Sequence, residues 1–478
     1  MSATGRKHLF VDDRWISSTH GVYRQVPVAE KDPDNPLVVA DQPWEGGLNC
    51  FGTVLEDPAG CLGASAGNRY RLWYQIYARG RYDDPRFGSA IGYAESADGR
   101  AWTKPAIGMT TPRGEASNIV ATCRGRGQLL SPAVLLDPQA PPEARYRLLN
   151  WDAMSEADLA AHGDPFPLPA RKQGWQPMAG EGLFTATSPD GLSWRPCQPQ
   201  PIVGGEVDAS AMSRQEDGRY AAYFKIGVRE ERHFRVVGRT RSGDFLTWEP
   251  AEVILRPDWR DAEGTEFYGM SGFDYFGTRL GLLWVYRNSP DDKRVEVELA
   301  AEGPDGIWQR AADRRTILPV GGAGSWDAGS IYPASVPVVA PATDPDAIWI
   351  YYGGVNVRHD DGRYRENAIG RARLRLDGFA CLSAGYMPGE LATAVLPDAA
   401  RGLRVNVRAP HGSLQALLLD ADDGRVIAES GVLGGIDDTD LALPWTGTAW
   451  PAVSPARPAR LLFRLHKAEL YSFRFAAS

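Results

Sequence analysis

The sequence predicts an all-β protein, a five-bladed β-propeller followed by a C-terminal β-sandwich. Three observations predict it. One format recurs: Ser96-Ala-Asp98-Gly99-Arg-Ala-Trp102, Ser188-Pro-Asp190-Gly191-Leu-Ser-Trp194, Ser242-Gly-Asp244-Phe-Leu-Thr-Trp248 and a shortened Gly303-Pro-Asp305-Gly306-Ile-Trp308. Each copy follows a short apolar run, and Asp-Gly between two such runs signals a hairpin, because a tight turn of the right twist needs positive φ. Copies roughly 50 to 90 residues apart suggest an array of small sheets. The second observation is an apolar-aromatic run of strand length, such as Arg69-Tyr-Arg-Leu-Trp-Tyr-Gln75 or Arg279-Leu-Gly-Leu-Leu-Trp-Val-Tyr-Arg287, as expected of strands covered on both faces. The third is that the Trp repeat stops after residue 388.

In chain order, His8-Leu-Phe-Val-Asp-Asp13 is a short strand expected to pair with the last blade and close the ring, which removes an exposed edge. A second short strand is expected near Val22 to Val28. Blades are predicted over 45–105, 115–197, 206–252, 265–312 and 326–380. Each has its inner strand before a turn (Glu56-Asp-Pro, Asp137-Pro, Glu216-Asp-Gly, Tyr275-Phe-Gly, Asp344-Pro) and an Asp-Gly-Trp hairpin as its outer half. The fifth keeps only a worn copy, Asp377-Gly-Phe379. A stretch over about 153–180, rich in Pro, Gly and Ala, is too long for an ordinary connection and reads as a rim loop or lid. The domain division is 1–388 and 389–478, the second made of short alternating strands with Asp423-Gly424 as a hairpin turn.

Composition narrows the function. The 478 residues are 43% hydrophobic and 23% charged, ordinary for a soluble globular chain. The 15 Trp and 18 Tyr are core anchors of small sheets or platforms for a sugar ring. A net charge of −8 argues against general nucleic-acid affinity. No apolar run predicts a signal peptide or a membrane span. Cys50, Cys61, Cys123, Cys197 and Cys381 are scattered without metal-ligand spacing, so a reduced, cytoplasmic protein with no metal is expected. No Walker loop, dinucleotide fingerprint or nucleophile elbow is present, so no cofactor is expected. Asp420-Ala-Asp422-Asp423-Gly424 lacks the spacing and terminal Glu of a calcium loop.

In a propeller the starts of the inner strands and the ends of the second strands meet at one mouth of the channel. The starts supply Glu45, Asn49, Ser131, Asp208, Glu266 and Asp327. The ends supply Gln75, Tyr77, Asn150, Asp152, Lys225, Tyr286, Arg287, Asn356, Arg358 and His359. Carboxylates facing amides and cations suit glycosyl transfer to water, which needs two carboxyl groups with their pKa values pushed apart. The expected roles are Glu266 as general acid, Asp208 as base or nucleophile, and Asp327 as a third carboxylate that tunes and orients. Glu45, Gln75, Asp152, Lys225, Arg287, Trp326, Asn356, Arg358 and His359 are expected to bind the carbohydrate, and the cations suggest an acidic or sulfated sugar. Gly353-Gly354 lets backbone approach a ligand there. The bland alternatives are carboxylates that only cap turns, a Trp326 that only anchors the core, and Asp-Gly-Trp repeats that are purely structural.

Several of these stretches together resemble bacterial proteins described as similar to the N-terminal domain of glycoside hydrolase family 32. They are His8-Leu-Phe-Val-Asp-Asp13, the Ser-x-Asp-Gly-x-x-Trp hairpins, Glu266-Phe-Tyr-Gly-Met270, Ser325-Trp-Asp327-Ala-Gly-Ser-Ile-Tyr-Pro333 and Tyr351-Tyr-Gly-Gly-Val-Asn-Val-Arg-His359. The resemblance covers most of the chain. It implies membership of the five-bladed propeller glycosidases, families 32, 43, 62, 68 and 117, with a terminal sandwich. The Trp-Met-Asn-Asp-Pro-Asn, Arg-Asp-Pro and Glu-Cys segments of well-studied family 32 enzymes are absent, and Asp57-Pro58 and Asp137-Pro138 fall at the wrong ends of strands. Fructosidase activity therefore does not follow. A non-catalytic carbohydrate-binding propeller, an interaction scaffold and a glycoside phosphorylase are the alternatives.

Overall fold

The computed structural model describes residues 6–57, 67–78, 80, 82–125, 128–166, 178–230, 233–359, 361, 367–396, 402–446 and 458–475. Cys61, Asp360 and the middle of the 153–180 loop lie outside the described residues. The protein is all-β; among the described residues the one α-helix is Glu156–His162, capped by Ser155, at the start of that loop. No described helix is long and apolar enough to cross a membrane.

Five antiparallel meanders follow one another. The first runs Leu48–Glu56, Tyr70–Tyr77, Ser89–Ser96, Ile119–Thr122. The second has Leu130–Leu136, Tyr146–Ala153 and Glu181–Ser188, edged by two short strands. The third has Ser210–Arg214, Tyr220–Arg229, His233–Ser242 and Glu252–Leu255. The fourth has Thr265–Tyr275, Thr278–Arg287 and Val295–Glu302, edged by Trp308–Arg310 and Thr316–Leu318. A single parallel pairing, Val295 with Ser330, joins it to the fifth, Ser330–Pro333, Ala347–Val355 and Asn367–Arg375.

A separate apolar core lies between each successive pair. Trp73 and Tyr93 of the first sheet meet Val134 and Tyr146 of the second. Trp151 and Leu183 meet Met212 and Phe224 of the third, and Tyr223 and Val237 meet Met270 and Leu283 of the fourth. Leu282 and Leu299 meet Ile348 and Ile350 of the fifth, whose Trp349 and Tyr351 return to Leu72 and Tyr74 of the first. The sheets thus form a closed cycle, and burial on both faces is why their strands are apolar without alternation.

The Asp-Gly repeats are not two-residue hairpins. In the first three copies the Ser hydroxyl accepts the backbone N–H two and three residues on, and Asp Oδ1 accepts the next two N–H groups at 2.7–2.9 Å. These capped loops satisfy their own backbone, so the chain runs on before the next strand forms. They also lock neighbouring sheets. Gly99 O accepts from Tyr351 Oη at 2.7 Å, and Gly191 O accepts from Trp73 Nε1 at 2.6 Å. Phe245 lies under the Arg147 guanidinium and Trp308 packs edge-on to Tyr223, so each repeat docks on the sheet before it.

Gly191 has φ +77°, and a Cβ there would lie 2.6 Å from the Trp73 ring; Gly306, at φ +79°, has nothing within 4 Å. Gly306→Ala should cost about 1–2 kcal/mol for the left-handed backbone alone. Gly191→Ala should cost a further ~1–3 kcal/mol for the displaced indole. Urea midpoints of the two variants check the difference, and equal costs would show that the dock is slack.

The chain termini correct one expectation. His8–Leu9 does not pair with the last meander; it pairs with Ser472 and Phe473. Ile16–His20 and Tyr23–Gln25 likewise join Gly389–Thr393 and Cys381–Ala384. The free edge of Asn367–Arg375 is taken by Glu30–Lys31 instead. All the other terminal strands belong to one eleven-stranded C-terminal sheet organised on Leu403–Asp420. Half of that long strand pairs with Ala468–Phe475 and the other half with Ala459–His466, the change falling at 409–413, so the sheet bends around its own core of Leu and Phe. Asp377, the worn repeat, is a buried tie between this sheet and the cycle, beside the Arg375 contacts to Asn406 and Asp437. Fully buried, it accepts from Lys7 Nζ (2.8 Å), Tyr275 Oη (2.6 Å), Ser472 Oγ (2.6 Å) and Asn406 Nδ2 (3.2 Å).

Candidate functional site

A cavity of about 490 Å³ opens where the inner strands begin and the second strands end. All five meanders or their exits contribute: Tyr77 and Ser89, Leu130 and Trp151, Asp208 with Lys225 and Arg235, Tyr268, and His359.

Glu206 and Asp208 flank the buried Val207, and both line the cavity. Lys225 reaches them from the adjacent strand, where its N–H bonds to Ala209 O. Its Nζ is 2.6 Å from Asp208 Oδ1 and 3.5 Å from Glu206 Oε1. Burial pushes the Asp208 carboxyl up, but the charge and hydrogen bond of Lys225, with Arg235 beyond, outweigh it and hold the group below the usual carboxylate range.

Arg235 stands opposite Gly227, which leaves the guanidinium uncovered by its pairing partner. It donates to Glu266 Oε2 at 2.6 Å, while Asn288 donates to Oε1. Tyr268 enters the cavity through a register break: Phe267 faces Val285 and Gly269 faces Trp284, so Tyr268 is the extra residue of a bulge and is re-aimed inward. His359 Nε2 lies 3.0 Å from Tyr268 Oη, and its ring packs on Tyr268 and Tyr286 at 5.0 and 4.9 Å. Lys225 and Arg235 approach the Tyr268 ring at 5.1 and 5.6 Å, so one phenol sits among two cations and an imidazole. Register breaks also occur at this end of the first and second sheets, over 50–52 and at Ser131.

Of the residues singled out from the sequence, Tyr77, Asp208, Lys225 and His359 line the cavity, and Glu266 stands behind Arg235. The others are placed elsewhere. Asp327 is bound by Lys31 Nζ at 2.6 Å, Ser325 Oγ at 2.9 Å and Tyr352 Oη at 3.1 Å, and does not line the cavity wall. Trp326 stacks on Tyr352 at 5.5 Å. Glu45 is buried between Tyr74 Oη and Lys104 Nζ, both at 2.7 Å. Gln75 spends its amide on Leu129 O and Ser131 N and stitches the first sheet to the second. Arg287 pairs with Glu298 at 3.1 Å, and Arg358 donates to Asp291 O on the surface. Asn356 follows Ala347–Val355 and is half-buried outside the cavity wall.

Asp152 is buried behind Trp151, accepting from Ala153 N (2.7 Å) and Arg124 N (3.0 Å), and burial pushes its pKa up to about 7. The folded value exceeds the unfolded one, so the folded state holds the extra proton between the two values. The stability this contributes is full below the unfolded pKa and is lost as pH rises through about 7. Asp152→Asn should therefore gain stability relative to the parent as pH is raised from about 5 to about 8. Denaturation midpoints across that range check it; a pH-independent difference would refute it.

Three residues of the site escaped the sequence reading. Glu206 had a visible signal, its two-residue spacing from Asp208. Arg235 lies on a third strand, His233–Ser242, away from the inner-strand starts and second-strand ends. Tyr268 belongs to the Glu266–Met270 segment, but its direction depends on a bulge with no local mark.

No family model matches the chain, and no curated protein does. Solved structures do match. One is a glycoside hydrolase family 43 arabinoxylan arabinofuranohydrolase from Bacillus subtilis in complex with cellotetraose, 13% identical, with 95% of this chain and 99% of that chain covered and a TM-score of 0.40. A β-1,2-mannobiose phosphorylase from Listeria innocua is 12% identical over 75% of this chain and 98% of its own, with a TM-score of 0.48. An N-acetylgalactosamine deacetylase from F. plautii, in complex with blood group B trisaccharide, is 12% identical over 75% and 97%, with a TM-score of 0.46. The matches include glycoside hydrolases, the group that the sequence motifs resemble. TM-scores below 0.5 leave the chemistry to be argued from this chain's own residues.

Proposed function

We propose that the cycle of sheets, residues 30–376, is a five-bladed propeller, that the C-terminal sheet is its sandwich, and that the chain hydrolyses a glycosidic bond in the cavity. One observation carries the chemistry: two carboxyls share the wall but not their cation equally, Asp208 standing 0.9 Å closer to Lys225 Nζ than Glu206 does (3.5 against 2.6 Å). Cleavage needs one carboxyl ionised and a second as proton donor, and Lys225 holds Asp208 in the ionised form. Asp208 is the ionised group, base or nucleophile, and Glu206 the proton donor. In cleavage the Glu206 proton passes to the leaving oxygen as the C–O bond breaks, and Asp208 either takes a proton from the attacking water or bonds to the anomeric carbon. Glu266 is reassigned from general acid to positioning Arg235, because both its oxygens already accept hydrogen bonds. Tyr268 and His359 hold the sugar.

Phosphorolysis is the second reading, favoured by Lys225, Arg235 and His359 on one cavity. Against it, the two strong cations are already neutralised by Asp208 and Glu266. Incubation with a panel of oligosaccharides, with and without orthophosphate, separates the readings. Hydrolysis predicts free reducing sugar in phosphate-free buffer. Turnover only with phosphate, yielding a sugar 1-phosphate, selects the second reading, and no turnover across the panel under either condition rejects both.

A further inference from the structure

We propose that the outer rim carries a second, non-catalytic site for an anionic glycan chain, built on Trp259. This indole is 91% exposed, the most exposed of the large apolar side chains described. It sits on the connection between Glu252–Leu255, the outer strand of the third sheet, and Thr265–Tyr275, the inner strand of the fourth. The connection is rigid. Asp261 N donates to Asp258 O and Asp258 N to Asp261 Oδ2, both at 2.9 Å, and Arg260 N donates to Asp258 Oδ1 at 2.8 Å. Asp258 is ion-paired to Arg314 and Asp261 to the buried Arg310, which bolts the turn to the fourth sheet. Trp259 therefore cannot fold back to bury its ring, and a large apolar face is held out to solvent at a free-energy cost.

Beside it lies a cavity of about 610 Å³, larger than the catalytic one and sharing no wall residue with it. Arg256, Arg260, Trp308 and Gln309 line it. Arg260 is exposed and has no ion pair among the described residues; Arg256 has only the exposed Glu230, at 3.0 Å. Trp308 Nε1 is buried without a hydrogen-bond partner. An indole face stacks on a pyranose ring, and an unpaired guanidinium takes a carboxylate in two parallel hydrogen bonds. Together they select a uronic-acid-containing chain over a neutral one. The class of ligand rests on the proposed function, and the site would tether a polymer while the central cavity works on its end.

The test uses the full chain carrying Asp208→Asn, which silences turnover, in affinity electrophoresis through de-esterified polygalacturonate and, separately, neutral xylan. Retardation by polygalacturonate is expected, weakened roughly five- to tenfold by Trp259→Ala or by Arg260→Ala. Both residues are exposed, so neither change should unfold the protein, and in the active parent both should leave turnover of a small soluble substrate unchanged. Absence of retardation, or retardation equal in parent and variants, overturns the site. Equal retardation by xylan overturns its anionic character. Retardation that depends on Trp259, in a protein that turns over no glycan, would sink the proposed hydrolysis and leave this site standing.

Discussion

Asp208→Asn should lower kcat/KM by about 10²–10⁴-fold on every substrate, whatever its leaving group. The amide cannot take the proton or the anomeric carbon, and it leaves Lys225, whose side chain is only 3% exposed, without its closest counter-charge. Glu206→Gln should behave differently. A proton donor matters most when the leaving oxygen is basic, so the loss should be about 10²–10⁴-fold on a sugar leaving group and small on an activated aryl glycoside. Glu266→Gln should chiefly raise KM, because it loosens Arg235 rather than removing a reacting group. Steady-state kinetics of the three variants on one natural and one aryl substrate decide between these roles. If Asp208→Asn stays within about tenfold of the parent, Asp208 is not a reacting group. If Glu206→Gln loses equally on both substrates, Glu206 is not the acid.

The largest structural effect should come from Asp377→Ala. Removing one partner of a buried ion pair typically costs about 3–5 kcal/mol, because the other charge stays buried and unpaired. Here the orphan is Lys7, 11% exposed, and three more donors, from Tyr275, Asn406 and Ser472, lose their acceptor. Asp377 also has φ +60°, a backbone that Asp tolerates better than Ala. Because the four donors come from the N-terminus, the fourth meander and the C-terminal sheet, unfolding should lose cooperativity as well as midpoint. Calorimetry that showed a single transition within about 1 kcal/mol of the parent would contradict the account. Asp377→Asn, which keeps one acceptor and the backbone preference, should recover part of the loss.

The contrast between Asp377 and the other repeat aspartates shows what a local pattern can convey. The Ser-x-Asp-Gly format was legible because its chemistry is contained in six residues: a hydroxyl and a carboxylate that satisfy neighbouring N–H groups. Its capped-loop geometry and its docking on Trp73 or Tyr351 of the sheet before it were not, since those partners lie over a hundred residues away. The N-terminal strand failed for the same reason. His8–Leu9 was recognisable as a strand, but its edge is chosen by which sheet offers a free one, and the C-terminal sheet does.

The candidate site divides along the same line. From sequence alone come the all-β class, the apolar strands covered on both faces, the order of the meanders, and the end of the strands at which polar groups collect. Each follows from turn chemistry and side-chain period, which act over a few residues. Only the tertiary structure decided that Asp208 and Lys225 meet while Asp327 goes to Lys31, that Glu206 joins the wall, and that a bulge turns Tyr268 inward. Those outcomes depend on register and on closure of the sheets into a cycle, so a carboxylate's partner, and hence its charge state and its chemistry, is set by strands distant in sequence.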